Sequence, residues 1–106
     1  MPKYLVCGSY TEQGLKGLLK DGGTKRMEAT KQAVESLGGT LEAYYFAYGD
    51  NDVYFIADNP SNVNGIGGIL LANASGAVKL KTIVLITPEE IDEAVKKTMD
   101  WHPPGQ

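Results

Sequence analysis

The feature that most constrains the fold is a pair of neighbouring segments that favour β-strands and are apolar on both faces. Residues 40–48 (TLEAYYFAY) and 53–58 (VYFIAD) are rich in aromatic and β-branched residues, and residues 49–52 (GDND) between them have the composition of a turn. Because side chains alternate between the faces of a strand, each segment places apolar side chains above and below the sheet. The sequence therefore predicts a β-hairpin that needs cover on both faces.

The alternation assigns each side chain of the hairpin to a face. In the first strand of the hairpin, one face carries Leu41, Ala43, Tyr45 and Ala47, and the other carries Tyr44, Phe46 and Tyr48. In the second strand, Val53, Phe55 and Ala57 lie opposite Tyr54 and Ile56. One layer of helices cannot cover both faces, and a large uncovered apolar surface is typical of an interaction site. We expect the second face to pack against another copy of the chain; the alternative is that a C-terminal helix folds back over it.

The rest of the chain predicts two further strands and four helices. The strands are residues 3–10 (KYLVCGSY) and 77–87 (AVKLKTIVLIT). The helices are expected from near Thr11 to a break at residues 21–23, from Thr24 to Gly38, over about residues 62–75, and from Pro88 to about Met99. Three of the predicted starts rest on capping signals, which are the S-x-x-E pattern of residues 9–12, Thr24, and the TPEE segment of residues 87–90.

The order of these elements is β-α-β-β-α-β followed by a terminal helix, which is the ferredoxin-like pattern. We therefore predict an α+β fold in which two helices pack on one face of a four-stranded antiparallel sheet. At 106 residues the chain has the length of one domain, residues 1–106. The uncovered face makes a homodimer, or a larger homo-oligomer, the expected assembly.

Charge and composition argue against several classes of function. The net charge is −3 and the isoelectric point is near 5.0, opposite in sign to a nucleic-acid-binding surface. The apolar runs are far shorter than the ~20 residues of a membrane span, and residues 1–15 lack a signal-peptide pattern. We therefore expect a cytoplasmic protein with neither a nucleic-acid nor a membrane partner. Because Cys7 and His102 are the only cysteine and histidine, we expect no metal site and no cofactor.

Three segments of the chain resemble the GYD domain family. They are KYLVCGSYTEQGLKGLLKDGGTKRMEA, FAYGDNDVYFIAD and LKTIVLITPEE, and the resemblance extends over residues 1 to about 95. Members of that family are small, mostly prokaryotic proteins without an established activity. The resemblance implies a ferredoxin-like unit that pairs sheet to sheet, similar to the dimeric α/β-barrel proteins. The naming motif, Gly-x-Tyr-Asp, falls on residues 49–52, where this chain has Asn51 in place of the tyrosine.

A glycine-rich break between two predicted helices is a candidate anion site. The GGTKR segment, residues 22–26, combines flexible backbone and free N–H groups at a helix start with two cations. Arg26 is the only arginine of the chain, and its planar fork suits a carboxylate or phosphate. The alternative is a solvated break, in which Lys25 and Arg26 pair with surface acids such as Asp21 or Glu28.

Two more residues join Arg26 as candidate ligand-binding residues. Tyr10 ends the first strand close to the helix break, and Asp52 matches the aspartate of the family motif and immediately precedes a strand. The alternatives are that the tyrosines pack an interface and that the aspartate serves the turn.

A stripe of small residues runs along the helix predicted over residues 62–75. The small residues recur at steps of three and four residues, and they are Gly65, Gly68, Ala72 and Gly76. The segment follows no strand and lacks the Lys-Ser/Thr of a phosphate-binding loop, so we interpret the stripe as a surface for close helix packing.

These observations predict a binding protein with a cleft between its sheet and its helices. The expected ligand is a small anionic or aromatic molecule held by Tyr10, Arg26 and Asp52. The alternative is a non-catalytic assembly or regulatory module that acts through sheet-to-sheet association. The sequence assigns no catalytic residue and leaves open whether the protein is an enzyme.

Overall fold

Four strands and four helices make up the part of the chain that the computed structural model describes, residues 2–106. In chain order they are β1 (Lys3–Tyr10), α1 (Glu12–Asp21), α2 (Gly23–Ser36), β2 (Thr40–Phe46), β3 (Val53–Asp58), α3 (Asn62–Ala74), β4 (Val78–Leu85) and α4 (Pro88–Ala94). The strands form one antiparallel sheet in the order β2-β3-β1-β4. The predicted α+β class, the four-stranded antiparallel sheet and the β2–β3 hairpin are confirmed.

Two of the predicted caps are wrong, although α1 begins near Thr11 as predicted. The side chain that caps α1 is that of Thr11, which accepts a hydrogen bond from the Gly14 amide at 3.3 Å. The cap of α2 is Gly22 rather than Thr24. The φ angle of Gly22 is +81°, a conformation that glycine adopts without strain, and it lets one residue end α1 and begin α2.

The last helix begins as predicted but is shorter. The Thr87 hydroxyl accepts from the Glu90 amide at 3.1 Å, and the Glu90 carboxylate accepts from the Thr87 amide at 3.0 Å, which completes a capping box. The helix ends at Ala94 instead of continuing to about Met99.

A β-bulge in β2 changes the face on which Leu41 lies. Leu41 pairs with Ala57 of β3, but Ala43 pairs with Ile56, so Glu42 is an extra residue in the ladder. An extra residue reverses the alternation on one side of the bulge, and Leu41 therefore joins Tyr44 instead of Ala43. The predicted assignment of Leu41 is wrong for this reason.

The core lies on the face of the sheet that the helices cover. Val6, Phe55 and Ala57 are its buried centre, as the alternation in β3 predicts, and α2 and α3 add Val34 and Ile69. Leu41, Tyr44 and Leu80 pack around the same cluster. Helix α2 lies against β2 and helix α3 against β4, so the two long helices share one face.

The other face, which we call the open face, keeps apolar side chains in contact with solvent. Residues that pair directly across strands share a face, so the register places Leu5, Cys7, Ala43, Tyr45, Tyr54, Ile56, Ile83 and Leu85 on it. Tyr45 is 71% exposed and Ile83 is 51% exposed. Helix α4 does not fold back to bury its own apolar residues, since Ile91 and Val95 are both exposed.

A buried asparagine, Asn59, links the end of α2 to the start of α3. The Asn59 amide donates to the Leu37 carbonyl at 3.0 Å, and its oxygen accepts from the Ser61 amide at 2.8 Å. The side chain of Asn59 is buried, so these hydrogen bonds form away from water. They fix the spacing of the two helices that form the walls of the site described below.

Replacing Asn59 should destabilise the fold. We expect Asn59→Ala to lower the free energy of unfolding by about 1–3 kcal/mol, because it leaves the part-buried amide N–H of Ser61 without a partner. Asn64 is a matched control, since its side chain donates to the same Leu37 carbonyl from an exposed position. Asn64→Ala should change the free energy by about 0.5 kcal/mol or less in urea denaturation. Equal losses in the two variants would contradict this assignment.

Candidate functional site

A cavity of about 510 Å³ lies between the sheet and the helices α2 and α3. Its floor is the helix-covered face of the sheet, including Val6, Phe55 and Leu80, and its walls include Ala33 and Ile69. This volume falls within the range of roughly 300–1,000 Å³ that is typical of small-molecule sites. The cavity is located where the sequence predicts a cleft.

Small residues on the two walls leave the space open. Gly65 of α3 lines the cavity, and a Cβ atom placed there would meet nothing within 4 Å. Gly68, one turn further along, is different, because a Cβ atom there would come within 2.6 Å of Leu37. The stripe of small residues therefore has two roles: Gly68 permits close helix packing, as predicted, and Gly65 contributes room.

Two tyrosine hydroxyl groups meet at one end of the cavity. The side chains of Tyr10 and Tyr44 line it, and their hydroxyl oxygens are 3.5 Å apart. Burial raises the pKa of the Tyr10 hydroxyl well above the ordinary value of 10.0, and the hydrogen bond with Tyr44 acts in the same direction. The positive charge of Arg26 acts in the opposite direction but is a smaller influence. Tyr10 is therefore a neutral phenol at physiological pH, able to donate or accept a hydrogen bond.

Arg26 brings a positive charge to the same end. It lies in the first turn of α2, lines the cavity and is half-buried. Within residues 2–106 its guanidinium group forms neither a hydrogen bond nor an ion pair. Lys25 follows the predicted alternative, since its ammonium group lies 3.7 Å from the Asp21 carboxylate. The donors of Arg26 are thus available to a molecule in the cavity.

Asp52 lies outside the cavity, and its side chain is hydrogen-bonded to the backbone of Tyr10. Its carboxylate accepts a hydrogen bond from the Tyr10 amide at 2.9 Å, and its own amide donates to the Gly8 carbonyl at 2.8 Å. Asp52 borders a second, more open hollow, together with Gly22 and Gly23. The structure therefore brings Tyr10 and Arg26 together and places Asp52 where it holds the end of β1.

The cavity also contains polar residues that the sequence analysis does not name as candidate ligand-binding residues. The hydroxyl group of Tyr44 is hydrogen-bonded to that of Tyr10. The sequence contains a signal for the position of Tyr44, since alternation along β2 predicts that it shares a face with Phe46. At the far end of β1, the Tyr4 hydroxyl is hydrogen-bonded to the Asn62 side chain, and Asp58 also lines the cavity. These groups became neighbours only through the packing of α3, which no local sequence pattern reveals.

The residues that the structure describes contain neither a membrane-spanning helix nor a cluster of metal-ligating side chains. Between residues 2 and 106, no helix is both long and apolar enough to cross a bilayer. In the same range, no three side chains of the His, Cys, Asp and Glu types are grouped so that they could hold a metal ion.

Comparison with known proteins identifies the family of the chain. A family model described as the GYD domain matches residues 4–95 of the chain. A search of curated proteins finds no match. The matched range extends from the second residue of β1, Tyr4, past the end of β4, and it includes Tyr10 and Arg26.

The raised pKa of Tyr10 should appear in the alkaline unfolding of the protein. A phenol whose pKa is higher in the folded state than in the unfolded state stabilises the fold at lower pH, and that stabilisation is lost as the pH rises above about 10. We expect Tyr10→Phe to reduce this loss, measured by urea denaturation as a function of pH. Tyr48→Phe, at a fully exposed position, should leave the pH profile unchanged. Identical alkaline profiles for the wild type and Tyr10→Phe would contradict the assignment.

Proposed function

The chain belongs to the GYD domain family, and from that premise we propose that it binds a small, largely apolar molecule with an anionic group in the cavity between sheet and helices. The observation that carries the proposal is the guanidinium group of Arg26, which is half-buried at the cavity wall without a partner among the described residues. A charge withdrawn from water is costly unless it is paired, and a carboxylate of the ligand would pair it.

The other residues of the cavity support a ligand with a ring. The rings of Tyr44 and Phe55 are stacked, with centroids 5.7 Å apart and an angle of 13° between their planes, and both line the cavity. They offer a flat apolar surface, on which aromatic rings pack well. The hydroxyl groups of Tyr10 and Tyr44 lie beside this surface and can hydrogen-bond to the acid group. Aromatic carboxylates are therefore the ligand class that we propose.

Replacement of Arg26 tests this proposal. In a thermal-shift screen of small aromatic and aliphatic carboxylates, we expect at least one aromatic acid to stabilise the wild type. Arg26→Ala should weaken its binding about 10-fold to 100-fold, as expected for the loss of a charge-assisted hydrogen bond, while the fold remains intact. Lys25→Ala is the matched control, because it removes the neighbouring, exposed positive charge.

Two results of that screen would contradict the proposal. One is the absence of any carboxylate that stabilises the wild type. The other is an Arg26→Ala variant that binds the acid as tightly as the wild type and the Lys25→Ala variant do.

We propose a second function, homo-oligomeric assembly through the open face, because that face keeps Tyr45 and Ile83 exposed. In this proposal the unit is ferredoxin-like, and two copies pair sheet to sheet as a dimeric α/β barrel. The strand order β2-β3-β1-β4 supports it, as do the helical connections from β1 to β2 and from β3 to β4. Assembly does not compete with ligand binding, since the cavity is on the other face of the sheet.

A charge placed on the open face should break the assembly. We expect Ile83→Glu to convert the dimer to a monomer in sedimentation equilibrium, because a carboxylate would be buried between apolar surfaces. Leu19→Glu is the control, since Leu19 is 86% exposed on α1 and is not part of the open face. Circular dichroism would verify that both variants fold. An Ile83→Glu protein with the mass of the wild-type oligomer would contradict the proposed interface.

A further inference from the structure

The C-terminal arm, residues 86–106, is an apolar segment that finds little cover within its own chain. Its large apolar side chains are about half exposed or more, and they are Ile86, Ile91, Val95 (74%), Met99 and Trp101 (60%). The molecule measures 58 × 32 × 22 Å and has a radius of gyration of 17.2 Å. A compact domain of this length has a radius of gyration of about 13 Å. The shape and the exposures together describe an arm that leaves the body of the domain.

The arm contains an ordered helix with two kinds of surface. The capping box of Thr87 and Glu90 fixes the first turn of α4. Ile91 and Val95 are four residues apart and so lie on the same side of the helical segment. Glu89, Asp92 and Glu93 form no ion pair within the described residues 2–106. The helical segment of the arm therefore has an apolar side and an acidic side whose carboxylates are unpaired.

A complementary strip runs along the edge strand β4 on the open face. Lys79 and Lys81 pair with Ser9 and Cys7 of β1, so both lysines lie on the open face beside Ile83. Both are exposed, and neither forms an ion pair with any residue from 2 to 106. The strip therefore offers two positive charges next to an apolar side chain that is 51% exposed.

We propose that the C-terminal arm docks on the open face of a second copy of this chain. The acidic side of α4 lies beside Lys79 and Lys81 of that copy, and Ile91 and Val95 cover the apolar part of the strip. The arm has 21 residues, which is comparable to the roughly 20–30 residues that one partner contributes to a standard interface. Because β4 is one of the two edge strands, the arm lies at the margin of the paired sheets and leaves their centres free. This inference rests on the sheet-to-sheet assembly proposed above and adds its second contact.

Charge reversal on each partner tests the contact. One variant, Glu89→Lys/Glu93→Lys, makes the arm basic; the other, Lys79→Glu/Lys81→Glu, makes the strip acidic. Each should dimerise about tenfold more weakly than the wild type at low salt, because like charges then meet. Mixed in equal amounts, the two variants should form heterodimers in preference to either homodimer, since both arm contacts of a heterodimer unite opposite charges.

Native mass spectrometry of the mixture distinguishes this contact from its alternatives. In the control mixture, the variant Lys20→Glu/Lys31→Glu replaces the strip variant. It has the same net charge as the strip variant, but the lysines that it alters are exposed residues of α1 and α2. That mixture should show a weaker preference, because its heterodimer has one favourable arm contact and its two homodimers have none and two, so the arm contacts give the heterodimer no advantage. A statistical distribution in the test mixture, or an equal preference in the control, would overturn the docking. A wild-type monomer would instead overturn the sheet-to-sheet assembly on which it rests.

Discussion

The sheet of this protein carries apolar side chains on both faces, whereas its two long helices pack on only one of them. On the covered face this arrangement produces the core around Val6, Phe55 and Ala57. On the open face it leaves Tyr45 and Ile83 in contact with water. Both proposals follow from this asymmetry, since the covered face encloses the cavity and the open face offers the surface for assembly.

The parts of the fold that follow from local patterns could be predicted from the sequence. Alternation in residues 53–58 correctly separates Phe55 from Ile56, and the TPEE segment correctly begins α4. Leu41 could not be assigned in this way, because the bulge at Glu42 is a property of the pairing between β2 and β3. The start of α2 differs from the prediction because one glycine, Gly22, caps both α1 and α2. Register and shared caps depend on neighbours that a single segment does not specify.

The candidate site shows the same division. Tyr10 and Arg26 could be chosen from the sequence, as the end of a strand and the only arginine, and the structure places both at one end of the cavity. The family motif points to Asp52 as a binding residue, but its carboxylate is hydrogen-bonded to the Tyr10 amide and lies outside the cavity. The volume of the cavity could not be predicted, since it depends on the spacing of α2 and α3 and on which glycines face open space.

The mass of the unmodified protein in solution tests most directly whether a second copy covers the open face. Sedimentation equilibrium over the micromolar concentration range should give at least twice the chain mass of 11.4 kDa. A mass of 11.4 kDa throughout that range would contradict the account, because the apolar open face would then remain in water.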